Sequence, residues 1–218
     1  MEQQKREFQT QVVTETKLPY LLALPKDYGK DPAKRWPLVL FLHGAGERGT
    51  DLELVKVHGI PKLAEAADDL PYIALSPQCP EGSFWVAHLH EVYALLREIM
   101  TVYAVDDKRV YLTGISMGGY GSWFLAMAYP EVFAALAPIC GGCMQWNAAV
   151  LKDIPIWTFH GKKDPTVPIS ETEQMVNALK ACGADVRFTV YPDAMHDSWT
   201  QTYENPELFD WMLRQRKR

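Results

Sequence analysis

Apolar residues along this chain fall in short continuous runs, separated by stretches whose apolar positions recur at helical spacing. Pro37-Leu38-Val39-Leu40-Phe41-Leu42 is the clearest run. A strand buried on both faces reads this way, because none of its positions faces water. Tyr72–Ser76, Arg109–Thr113, Phe133–Ile139, Ile156–His160 and Val186–Tyr191 read as strands of the same sheet. Phe8–Thr14 and Leu18–Leu24 read as two more, a hairpin at the sheet edge, followed by a turn-rich connection from Pro25 to Pro37.

The intervening stretches predict helices. Ile60–Ala67 is one, and Ala87–Tyr103 carries Leu89, Val92, Leu95, Leu96 and Ile99 on one face. Gly119–Tyr129 is a third, ended by Pro130. Ser170–Ala181 has Ser170 as N-cap with Glu173 three positions on, a capping box, and Gly183 past its end. Asn205–Arg214 has Asn205 as cap and Pro206 at the first helical position. Strands alternating with helices predict a mostly parallel, doubly wound sheet flanked by helices, in one domain spanning 1–218. Such sheets carry their sites at the carboxyl ends of the strands.

Composition narrows the function classes. A net charge of −5 argues against nucleic acid or an anionic membrane surface as partner. The basic end Arg214–Arg218 reads as a solvated helix terminus. No apolar run is long enough to span a bilayer, and Met1–Glu7 lacks the apolar core of a signal peptide, so a cytoplasmic protein is expected. Cys79, Cys140, Cys143 and Cys182 are too few for a disulfide scaffold. Cys140-x-x-Cys143 has no second ligand pair at zinc spacing, so no metal is expected.

The chemistry centres on Gly114-Ile115-Ser116-Met117-Gly118, which fits G-x-S-x-G between a buried strand and a helix. A serine hydroxyl is a weak nucleophile until it is presented on a strained turn and deprotonated, and the turn demands small neighbours. Downstream, Asp164 lies a few residues beyond the strand ending at His160, and His196 lies in the loop after the last strand. Asp153 and Asp185 precede their strands, at the wrong end of the sheet; Asp193 and Asp197 share the loop of His196. His58, His88, His90 and His160 show no metal-ligand pattern and read as structural or surface residues.

With Gly114–Gly118, His43-Gly44-Ala45-Gly46-Glu47-Arg48-Gly49, Ser116–Trp123 and His196-Asp197-Ser198-Trp199, the chain resembles the α/β-hydrolase superfamily over nearly its whole length. Within it, the chain looks like the small lidless carboxylesterases of the prolyl oligopeptidase-related branch, with motifs shared by feruloyl and acetyl-xylan esterase-like proteins. The resemblance implies the chain order nucleophile, acid, base: Ser116, Asp164, His196. It also implies an oxyanion hole from the N–H groups of Met117 and Ala45, with Gly46 beside Ala45 at the substrate, and no cofactor. His43 reads as a brace of its loop, while Glu47 and Arg48 either touch substrate or pair with each other.

Only Cys140–Pro155 separates two strands where many superfamily members insert a cap, so no large cap domain and an open site are expected. Trp85 and Trp146 sit on strand-end connections; they either wall an aromatic acyl site or pack their loops. The expected activity is serine carboxylic ester hydrolysis of short-chain or aromatic (feruloyl- or acetyl-type) small-molecule esters, by a monomer or homodimer. An acyl-protein or acyl-CoA thioesterase and a non-catalytic ligand receptor on the same fold are the alternatives.

Overall fold

A computed structural model describes residues 3–217; Met1, Glu2 and Arg218, the last residue of the basic end, lie outside the described residues. Seven strands form one sheet: β1 (Tyr20–Ala23), β2 (Trp36–Leu42), β3 (Ile73–Pro77), β4 (Val105–Ile115), β5 (Ala135–Ile139), β6 (Ile156–Gly161) and β7 (Val186–Tyr191). Their spatial order is β1-β3-β2-β4-β5-β6-β7. Only the β1–β3 pair is antiparallel.

The continuous apolar runs have a direct cause. Every residue of β2, β3, β5 and β6 is buried. The pleat sends alternate residues to opposite faces. Leu38, Leu40 and Leu42 join a core that includes Val92, Leu96 and Ile99 of α2 (Leu89–Val102), Trp123 and Leu125 of α3 (Met117–Ala128), and Met175 and Leu179 of α4 (Ser170–Ala181). Val39 and Phe41 join a second core, with Ile60 of α1 (Gly59–Ala66) and Leu208, Trp211 and Met212 of α6 (Pro206–Arg214). The sheet is therefore covered on both faces, as a parallel sheet requires.

The amino-terminal hairpin does not form. No strand covers Phe8–Thr14, and the second expected strand shrinks to β1, which pairs with β3 in the register Tyr20↔Pro77. Phe8, Val12 and Val13 are more than four-fifths exposed, at 87%, 82% and 84%. Alternation marks a strand only where a neighbouring surface can bury one of its faces. The capping box is also absent: Ile169 occupies the N-cap of α4 and Ser170 is already helical. Glu171 N–H bonds to Pro168 O, so the chain turns one residue earlier than expected. Asn205 does cap α6, accepting from Glu207 N–H at 3.0 Å. The short helix α5 (Trp199–Tyr203) was not apparent in the apolar spacing. Residues 140–155, between β5 and β6, hold one short 3₁₀ turn, Gln145–Leu151, and no cap domain.

Candidate active site

Ser116 stands between the end of β4 and the start of α3 with φ 53° and ψ −115°, a conformation L-residues rarely adopt. Its N–H is held by Ile139 O at 3.0 Å. The flanking glycines are needed for space: a Cβ on Gly114 would lie 2.3 Å from Gly118 O, and one on Gly118 would lie 1.8 Å from Leu42 O. The close approach at Gly118 presses the start of α3 against the end of β2, where the Ala45 loop begins.

Two loops bring the other groups in. Asp164 follows β6, and its side chain is fully buried. Its Oδ1 accepts from Thr166 N–H at 2.8 Å and Val167 N–H at 2.9 Å. Its Oδ2 accepts from His196 Nδ1–H at 2.7 Å. That leaves the Nε2 lone pair of His196 facing Ser116 Oγ, 2.9 Å away. Burial alone would raise the Asp164 carboxyl, but the bonds from His196, Val167 and Thr166 outweigh it and hold the group below the usual range. The structure thus joins the three residues that the sequence separates. The competing acids are engaged elsewhere: Asp193 pairs with Lys163, and Asp197 accepts from Thr200.

The loop after β2 is built around a buried histidine. His43 Nε2 accepts from Cys79 N–H at 2.9 Å, and its Nδ1 donates to Gly44 O at 2.6 Å. Burial pushes the imidazole down to about 4, so it is neutral at pH 7. Ala45 opens a 3₁₀ turn and Met117 opens α3, which places both N–H groups among those a helix start leaves unpaired. Ala45 and Gly46 are exposed. Glu47 and Arg48 do not pair. Arg48 donates to Ala45 O at 2.8 Å and Ser83 O at 3.1 Å. Glu47 is buried, 3.7 Å from both His43 and His58, and its carboxyl is raised by that burial.

A cavity of about 670 Å³ reaches Ser116 and is lined by Phe84, Trp85, Val86, Ala87, Met117 and Tyr120. No charged side chain is among these. Trp85 is its buried floor, with its ring N–H spent on His43 O at 2.9 Å. Trp146 is 77% exposed and is not part of the lining. Of the two readings left open for these tryptophans, the lining fits the first for Trp85, which shares it with Phe84 and Tyr120, and not for Trp146. Tyr120 lies within the Ser116–Trp123 motif and Phe84 is the chain neighbour of Trp85, so both stand beside residues the sequence marks.

Cys140 also borders the site. Its Sγ, an Asp164 oxygen and a His196 nitrogen lie within 4.8 Å of one another. Burial pushes the thiol up to about 12, and the two other donors are already bonded to each other.

The sequence pattern that describes the phospholipase/carboxylesterase family matches residues 85–208, more than half of the chain, including Ser116, Asp164 and His196. The chain belongs to this family. A solved thermostable esterase is 38% identical, with a TM-score of 0.82 over 93% of this chain and 60% of that one. The poly(3-hydroxyoctanoate) depolymerase of Pseudomonas fluorescens is 28% identical over 170 residues, 64% of this chain and 60% of that protein. The bifunctional acetylxylan esterase/xylanase XynS20E of Neocallimastix patriciarum is 26% identical over 142 residues, 63% of this chain and 20% of that protein. The chain therefore spans between a fifth and three-fifths of the length of these relatives. No helix among the described residues is long and apolar enough to cross a membrane.

Proposed function

We propose that this family member is a serine carboxylic ester hydrolase for small esters with an uncharged, apolar acyl group, aromatic groups included. The observation that carries the proposal is the unbroken path from Ser116 Oγ through His196 to Asp164, at 2.9 and 2.7 Å, opening onto an apolar cavity.

Ser116 Oγ attacks the ester carbonyl as His196 Nε2 takes its proton. Asp164 holds the ring with Nδ1–H turned toward the carboxylate and stabilises the imidazolium that forms. The N–H groups of Met117 and Ala45 receive the negative charge on the tetrahedral oxygen. His196 then gives its proton to the alcohol oxygen as the carbon–oxygen bond to it breaks, so the alcohol departs and the acyl group stays on Ser116 Oγ. Water repeats the sequence and releases the acid. The strained turn at Ser116 keeps Oγ clear of its own helix, ready for attack.

The test is kcat/KM for methyl ferulate against p-nitrophenyl butyrate, with Ser116→Ala as the blank. Turnover of either ester, abolished in Ser116→Ala, is the expected result. A matched butyryl thioester turned over faster than both would move the assignment to a thioesterase. Turnover undiminished in Ser116→Ala would overturn it.

A further inference from the structure

Of the two readings the sequence leaves for His160, structural or surface, the first holds: it is fully buried at the end of β6 with both ring nitrogens engaged. Its Nε2 lies 2.9 Å from Val167 O and 3.2 Å from Asp164 Oδ2. Both neighbours are acceptors: one is a carbonyl, and the other already receives the proton of His196 Nδ1. Nε2 therefore carries a hydrogen in any protonation state of the ring. That hydrogen goes chiefly to Val167 O, and its dipole faces the carboxylate.

The Val167 peptide is thus gripped from two sides. Its carbonyl is held by His160, and its N–H is the 2.9 Å donor to Asp164 Oδ1. On the other side of the ring, Nδ1 is left as an acceptor 2.8 Å from Thr172 Oγ1 of α4, whose one hydroxyl hydrogen it shares with Gly141 O, 2.7 Å from the same oxygen. Gly141 is packed against the elbow helix so closely that a Cβ there would lie 2.6 Å from the Tyr120 nitrogen. One imidazole therefore connects the acid loop, α4 and the segment that abuts the helix carrying Ser116.

A side chain that merely filled this space would be apolar. Burying an imidazole carries a desolvation cost unless both nitrogens find partners. Here one partner, Val167, is itself a donor to the Asp164 carboxylate, and the other, Thr172, ties the ring to α4.

We propose that His160 is a positioning residue that fixes the Asp164 carboxylate through Val167 and faces it with an N–H dipole. The proposal rests on the reading of Ser116, His196 and Asp164 given above. On this account His160 acts on the reaction rate and leaves ester binding alone.

The test uses the full chain, with His160→Leu and His160→Gln beside wild type. Three quantities are measured: the rate of Ser116 labelling by a fluorophosphonate, kcat and KM for p-nitrophenyl butyrate, and the thermal midpoint. In His160→Leu, labelling and kcat should fall about 10- to 100-fold, with KM within about twofold. His160→Gln, whose amide can donate to Val167 O, should recover most of that loss. The proposal is overturned if His160→Leu labels and turns over at the wild-type rate. It is equally overturned if both variants lose activity and midpoint alike, which is the mark of a packing role. Wild type that fails to label at Ser116 would instead sink the underlying hydrolase reading, and the two failures are told apart by that single control.

Discussion

Trp85 donates its ring N–H to the carbonyl of His43 at 2.9 Å, and the two rings meet edge-on at 4.9 Å between centroids. The floor of the apolar cavity and the loop carrying the Ala45 N–H are therefore one unit. Trp85→Phe keeps most of the packing but leaves a buried carbonyl without its donor. Such an orphan costs about 1–3 kcal/mol. The expected outcome is a loss of that size in urea unfolding, together with a roughly tenfold drop in kcat as the loop loosens. A stability loss with kcat untouched would mean that the Ala45 loop is held by other contacts.

Phe84 and Trp146 make opposite predictions. Phe84 lines the cavity, whereas Trp146 stands apart from it in solvent. Removing an apolar contact from an acyl site is worth about 1–3 kcal/mol of discrimination. Phe84→Ala should lower kcat/KM for methyl ferulate at least tenfold, and that for an acetyl ester by much less. Trp146→Ala should change neither by more than about twofold. If Trp146→Ala were the variant that lost ferulate activity, the acyl site would lie on the other side of Ser116.

These two residues also show where sequence reading stops. The strands of the sheet interior were legible because burial on both faces leaves an unambiguous apolar run, as in Trp36–Leu42. The positions of Ser116, Asp164 and His196 at strand ends followed from the same alternation, since the topology alone sends those loops to one edge. Exposure was not legible. Phe8–Thr14 has the composition of a strand but no surface to pair with, and a tryptophan in a loop reads the same whether it is a floor like Trp85 or solvent-facing like Trp146. The contacts of His160 are hidden for a related reason: a lone histidine closing a strand gives no sign that the acid loop and α4 both meet its ring.

The backbone of Ser116 makes a prediction about stability as well as activity. With φ at 53°, a side chain there is strained, and the strain of such a residue is about 1–3 kcal/mol. Ser116→Gly should therefore raise stability by ~1 kcal/mol while reducing kcat by about 10⁶-fold. Ser116→Ala should lose activity equally but gain no stability, since it keeps a Cβ. Urea unfolding of the three proteins in parallel checks this. A glycine variant no more stable than the alanine one would show that the turn is relaxed in solution.

Gly118→Ala should act in the opposite direction. The added Cβ would sit 1.8 Å from Leu42 O, so the elbow helix must move away from β2. The atoms it would meet, Leu42 O and His43 O, are main chain, with no flexible side chain to yield. A loss of more than about 2 kcal/mol is expected, with kcat falling alongside. Thermal denaturation and a single assay on p-nitrophenyl butyrate suffice; a variant as stable and active as wild type would contradict the close approach.

The loop built around His43 should also make the protein sensitive to mild acid. His43 is held neutral in the fold because burial lowers it from 6.5 to about 4. In the unfolded chain it takes up a proton near its ordinary value, about 6.5. The unfolded state therefore binds more protons between those values, and stability falls as pH drops from about 6.5 to about 4. Above that window His43 contributes no slope; below it the loss is complete, roughly 3 kcal/mol for this shift. His160, also lowered by burial, adds slope of the same sign, whereas the raised Glu47 carboxyl beside His43 opposes it at the acid end. A site-specific probe is therefore needed. The ¹⁵N resonances of the His43 ring should stay those of a neutral imidazole down to about pH 4, and His43→Gln should flatten part of the urea-midpoint slope across the window. Titration of His43 near 6.5 would mean that water reaches the ring, and that the bond from Cys79 N–H does not hold the loop closed.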